Sequence, residues 1–133
     1  MIRATLADVA TVNAYVGRDY PEADFTEFLS EPMHICLIEG CSGALFAWRG
    51  PNTFEVHVFF EVRGRAALDL GRRMLERMRT LHDAGQFWSL IPEGSRKVKM
   101  FARLMGWKSL GLRETRHGLC ELFVSENHQC LQQ

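Results

Sequence analysis

The chain has 133 residues, 47% hydrophobic and 24% charged, an ordinary globular composition that argues against disorder and sets the length of one domain over 1–133. No apolar run approaches the roughly 20 residues of a membrane span, and the opening MIRATLADVA lacks the apolar block of a signal peptide. The formal net charge is zero, which hides an asymmetry. Residues 1–62 hold three arginines against nine carboxylates, whereas residues 63–116 hold thirteen Lys/Arg against five carboxylates. A basic half after an acidic half predicts that one face meets an anion, the alternative being two solvated helix surfaces. Cys36, Cys41, Cys120 and Cys130 form no CxxC pair and no framework, as expected of a reduced cytoplasmic protein.

Ile2 to Thr5 reads as a short edge strand. Thr5 or Asp8 then caps a helix with Val9, Val12, Tyr15 and Val16 on one face. Gly17 and Pro21 break it, and a second short helix over Asp24 to Ser30 buries Phe25, Phe28 and Leu29. HICLIEG and GALFAWR read as paired strands, with Gly40 and Gly43 marking the turn. Phe54, Val56, Val58 and Phe60 alternate with Glu55, His57, Phe59 and Glu61, the pattern of a strand with one apolar and one mixed face.

From Ala67 onward, Leu70, Gly71, Met74, Leu75, Met78 and Leu81 follow helical spacing and predict a long amphipathic helix. Gln86 to Ile91 is a further strand ended by PEG. Ser95 can cap a last helix that buries Val98, Phe101, Ala102 and Met105 and stops at Gly106. Leu110 to Arg116 and Leu119 to Val124 complete the strands. The order β-α-α-β-β-β-α-β-α-β-β excludes strict alternation and predicts a mixed α/β (α+β) fold.

The junction of strand and long helix, Arg63-Gly64-Arg65-Ala66-Ala67, is a plain connection or a phosphate site. A helix start leaves backbone N–H groups unpaired and carries partial positive charge, so small residues there admit an anion. With the element order, this turn resembles that of the GCN5-related N-acetyltransferase (GNAT) superfamily, Arg/Gln-x-x-Gly-x-Gly/Ala, over nearly the whole chain. Arg63 and Gly64 match, while Ala66 and Leu68 stand where glycines are usual. RKVKMFARLMGW resembles the family's N-x-x-A…LGF segment, with Arg96 at the Asn position and Gly106-Trp107 for Gly-Phe. The spelling H-x-x-F-x-x-R-G from His57 to Gly64 is most similar to small phage-borne members.

The resemblance implies a mostly antiparallel sheet of six or seven strands flanked by about four helices. It also implies acetyl-CoA as co-substrate, an amine acceptor (protein or small molecule), and no metal. Val58, Phe59 and Phe60 would offer backbone groups to the oxyanion and pantetheine. Arg63, Gly64, Arg65, Ala66 and Ala67 would take the pyrophosphate, and Arg96 a further phosphate. Glu55 and His57 share a strand face because side chains two apart point the same way. His57 is the preferred base, since imidazole titrates nearest neutrality, about 6.5. Glu55 is its partner or substitute, the alternatives being a hydrogen-bonded sheet histidine and a solvated carboxylate.

The family's last-helix tyrosine acid is replaced by Phe101-Ala102, and the only tyrosines, Tyr15 and Tyr20, lie far upstream. The thiolate would then leave unaided or with help from Ser95 or water. The loop Gly17 to Asp24, with Tyr20, Glu22 and Asp24, would shape the acceptor site. His34-x-Cys36 with Cys41, and His128-x-Cys130, lack zinc spacing. SRKVK lacks the interleaved aromatics of a nucleic-acid site, and anion contacts from Arg96 to Lys99 suit CoA at least as well. The expectation is an acetyl-CoA-dependent N-acetyltransferase, with no membrane or nucleic-acid partner and with room for a homodimer. The alternative is a non-catalytic GNAT-fold domain that binds CoA or a protein partner.

Overall fold

The computed structural model describes residues 1–125; the His128–Cys130 pair lies outside them. The predicted order is present. It runs β1 (Ile2–Arg3), a 3-10 turn (Leu6–Asp8), α1 (Val9–Val16), α2 (Thr26–Ser30), β2 (Ile35–Glu39), β3 (Ser42–Gly50), β4 (Thr53–Phe59), α3 (Gly64–His82), β5 (Gln86–Pro92), α4 (Arg96–Leu104), β6 (Lys108–Thr115) and β7 (Gly118–Val124). No helix among the described residues is long and apolar enough to cross a membrane.

The seven strands form one sheet in the order β1-β2-β3-β4-β5-β7-β6. Every neighbouring pair is antiparallel except β4 and β5. That parallel pair is short, joining Thr53–Glu55 to Gln86–Trp88 only. Beyond it, β4 stays paired with β3 up to Phe59 and β5 with β7 up to Pro92. The sheet therefore opens between β4 and β5, and the opening positions the site.

The two faces are covered differently. On one, α3 packs Leu70, Met74 and Met78 against Leu37, Phe46, Val56 and Phe87. On the other, Val12 and Val16 of α1 pack on Cys36, Ile38, Leu45 and Phe59, with Phe25 and Phe28 alongside. Ala102 of α4 joins Ile91 and Phe123. Thr5 and Asp8, read as alternative caps of the first helix, instead form a capping box on the 3-10 turn that leads into it, the Thr5 N–H donating to Asp8 Oδ2 at 2.8 Å.

Four details depart from the sequence reading. Gly43 is inside β3 rather than in the turn, and it is glycine for lack of room. A Cβ there would run into the Phe59 ring and lie 2.7 Å from the Leu37 carbonyl oxygen. Val98 is 40% exposed instead of buried. In its place α4 buries Lys99, whose Nζ donates to Glu93 Oε2 at 2.6 Å and pairs with Glu121 Oε1 at 3.1 Å. Glu55 is buried, not solvated.

Candidate active site

The opening between β4 and β5 is a cleft of about 860 Å³, counting space continuous with solvent. At its apex the Ser89 hydroxyl donates to the Val56 carbonyl at 2.8 Å, bridging the strands where their ladder ends. Backbone groups of a strand point alternately to its two neighbours. Val56 presents its carbonyl toward β5, so the N–H and C=O of Val58, two residues on, face the same side, where β5 has moved away.

His57 borders the cleft, its side chain half exposed. Its Nε2 lies 3.0 Å from Glu55 Oε2. The other carboxylate oxygen accepts from Arg49 Nε at 2.9 Å and pairs with Nη2 at 2.8 Å. Burial alone would raise the Glu55 carboxyl. The hydrogen bond and charge of His57, together with Arg49, outweigh it and hold the group below the usual carboxylate range. Arg49 lies on β3, where Ala47 and Trp48 pair with Glu55 and Phe54 of β4. An ionised Glu55 fixes Nε2 as the protonated nitrogen, leaving Nδ1 with the lone pair.

A second groove adjoins the first and shares Val58, Phe60, Val98 and Phe101 with it. It lies between the start of α3 and α4, and Arg63, Gly64, Arg65, Ala67, Arg96 and Lys97 all line it. Gly64 opens α3 at φ +60, in the left-handed region that favours glycine. No side chain caps the helix, so its first N–H groups stay available. The preceding loop is tied down. The Ser42 hydroxyl accepts from Glu61 N–H at 2.7 Å, and Arg18 bonds Glu61 Oε2 at 2.9 Å and the Cys41 carbonyl at 2.7 Å.

The cations sort by place. Arg18, Arg49, Arg73, Lys99 and Arg103 each pair with a carboxylate. Among the described residues, Arg63, Arg65, Arg96 and Lys97 pair with none, and Asp19 is the one carboxylate that borders the groove. The arrangement leaves four positive charges and an open helix start facing one space.

No protein-family model matches the chain, and no curated protein matches it in sequence. Its shape does match solved structures. A chimera of the spermidine N-acetyltransferase SpeG from Vibrio cholerae and hSSAT superposes with a TM-score of 0.76 at 10% identity, covering 98% of each chain. Aminoglycoside acetyltransferase AAC(6')-Ib in complex with coenzyme A and kanamycin gives 0.71 at 11%, over 99% of this chain and 98% of that one. A dodecameric spermidine N-acetyltransferase from Vibrio cholerae gives 0.71 at 10%, over 97% and 94%. The chain has the GNAT fold.

On the GNAT fold the residues singled out in the sequence come together with few exceptions. Val58, Phe59, Phe60, Arg63, Gly64, Arg65, Ala67 and Arg96 border the groove; Ala66 is exposed beside it. Phe59 turns its ring into the α1 side of the core. Leu68 forms part of the groove wall, one turn beyond the first N–H groups. Lys99 is absent from the groove because its ion pairs bury it. Glu55 stands behind His57 and touches the cleft only through it.

Tyr20, expected from its loop to help shape the acceptor site but set aside as an acid for lying far upstream, does line the cleft. The loop after α1 brings it to the cleft that His57 also borders. Ser89 was missed, although a serine in the middle of the apolar run FWSLI was its signal. Asp24 does not reach the cleft: it accepts from Asn13 and Thr26 at 3.1 and 2.8 Å. His34 and Cys36 are likewise engaged elsewhere. His34 accepts from Trp48 N–H at 2.9 Å and stacks on Phe28, while burial pushes the Cys36 thiol up to about 12.

Proposed function

We propose that this chain is an acetyl-CoA-dependent N-acetyltransferase acting on an amine. The observation that carries the reading is the continuity of two spaces. A cationic groove at an uncapped helix start opens, past Val58 and Phe60, into a cleft holding a carboxylate-backed histidine. The pyrophosphate fits the α3 start with Arg63 and Arg65, and Arg96 and Lys97 suit a further phosphate. The pantetheine amides fit the open backbone groups of β4. Neighbours of the same shape are complexes with coenzyme A and kanamycin and with acetyl-CoA and paromomycin, which supports the same donor here. The dodecameric neighbour supports self-association, for which a homodimer is the simplest form.

His57 Nδ1 takes the proton of the acceptor ammonium, and Glu55 holds the ring and balances the charge. The amine nitrogen bonds to the thioester carbonyl carbon, with the Val58 N–H placed to meet the oxyanion. The C–S bond then breaks, the electron pair leaves on sulfur, the extra proton of the new amide nitrogen passes to the thiolate, and His57 gives its proton to solvent. A thiol of ordinary pKa about 8.5 is a good leaving group, so the acid contributes modestly. Tyr20, Ser89 and Ser95 are the hydroxyls that border the cleft, and the Tyr20 hydroxyl supplies the role the last helix leaves empty.

Thermal unfolding with added CoA tests this reading. A ligand that binds only the native state stabilises by about 2.7 kcal/mol at one hundred times its Kd, and a clear rise in Tm is expected. An unchanged Tm at millimolar CoA overturns the proposed donor site.

A further inference from the structure

We propose that the acyl site takes an uncharged aliphatic group longer than acetyl, of about four carbons; this rests on the acyltransferase reading above. The cleft does not end at the opening of the sheet. It continues beneath α3 to Ala44 and Phe46 of β3 and to Gly71, Met74 and Leu75 of α3. Ala44 pairs with Val58 and Phe46 with Val56, so this wall is one strand further in than β4, about 4.8 Å. Ala44, Phe46 and Met74 are each 1% exposed, which places the extension inside the core rather than along the surface.

Protein cores are close-packed, and space of this kind is unusual unless something fills it. An acetyl group reaches one carbon past its carbonyl and leaves the extension empty. A small residue makes the room: Ala44 stands where its strand neighbours are Leu45 and Phe46, while Gly71 lets Phe101 and Met105 approach α3 closely at the cleft's edge. The wall carries no charged group, so a carboxylated acyl chain does not fit it. Strand alternation also separates the reactants. Val56 and Val58 face α3 and the acyl tail, while His57 faces the opposite side, from which the amine arrives. The chemistry is the same for any length: N–C forms and C–S breaks, and of the two protons the ammonium loses, one leaves through His57 to solvent and the other ends on the CoA thiol.

Calorimetry of the full chain with CoA, acetyl-CoA and butyryl-CoA, without amine, tests the idea. At about fourfold per buried methylene, butyryl-CoA should bind roughly fifteenfold tighter than acetyl-CoA. Gly71→Ala should remove most of that preference and leave the affinity for free CoA unchanged. Its Cβ would meet Phe101 Cζ at 3.0 Å and Met105 Cε at 3.2 Å, so the ring and the methionine tip, both in the cleft wall, must shift into the cavity. Ala44→Leu fills the other wall and should act alike, read alongside its thermal unfolding. Equal or weaker binding of butyryl-CoA than acetyl-CoA overturns the inference and leaves the acyl-CoA reading standing. A preference that survives in both variants also overturns it, since the tail then lies elsewhere. If none of the three thioester or thiol ligands binds, the acyl-CoA reading fails and the inference falls with it.

Discussion

His57 joins accessibility to a fixed proton position: half its side chain meets solvent while Nε2 is held 3.0 Å from a buried carboxylate. That pairing was legible in the sequence, because residues two apart on a strand share a face. The burial of Glu55 was not, since its counter-charge, Arg49, comes from the neighbouring strand and carries no local pattern. The loop holding Tyr20 was legible as an acceptor-site loop, but which of its residues reach the cleft was not: Tyr20 does, while Asp24 bonds Asn13 and Thr26 instead. Replacing His57 by alanine should lower turnover by about two to four orders of magnitude. The CoA affinity measured by calorimetry should change little, because His57 lies on the amine side of β4. Full turnover in His57→Ala with loss in Glu55→Ala would make the carboxylate the base.

Among the elements, strand and helix identities followed from period-two and period-3.6 patterns, and the order was complete. What the pattern misassigned was the purpose of certain apolar residues. Val58 and Val98, 36% and 40% exposed, look like core residues in the sequence because a ligand-facing wall obeys the same periodicity as a core. The tight fit of Gly43 against Phe59 was equally hidden, since it depends on the β3–β4 register. Helix α3 supplies the prediction at this scale. Gly64→Asp should reduce CoA affinity at least tenfold in a binding titration, since a carboxylate would face the pyrophosphate at the helix start. The backbone there, at φ +60 with nothing within 4 Å of an added Cβ, strains any side chain, Asp and Asn least. Gly64→Asn therefore isolates the charge: it should lose less affinity than Gly64→Asp, and equal losses would assign the effect to the backbone.

Over the whole molecule, the basic residues of the sequence include five paired with carboxylates around the fold and a cluster of four at the groove, Arg63, Arg65, Arg96 and Lys97, that pair with none. The paired carboxylates set the acid limit of stability. The hydrogen bond from Arg73 lowers Glu39, and those from Ser109 and Lys99 lower Glu121. Glu55 is lowered against its burial by His57 and Arg49. A folded-state value below the ordinary 4.5 means the folded protein holds fewer protons than the unfolded chain in that range. These groups thus add stability above pH 4.5, lost as pH falls through their depressed values. Burial also lowers His34 and His82 below the ordinary 6.5, so Tm should begin to fall below about pH 6.5 and fall further below about pH 4.5; a Tm that rises on acidification would contradict these shifts.

The link between groove and cleft is chemical, and one assay reads it. Release of free CoA thiol from acetyl-CoA, followed with and without a panel of primary amines, should be amine-dependent in the wild-type chain and nearly absent in His57→Ala. A chain that binds acetyl-CoA yet releases no thiol above background with any amine would contradict the catalytic account and leave a CoA-binding domain in its place.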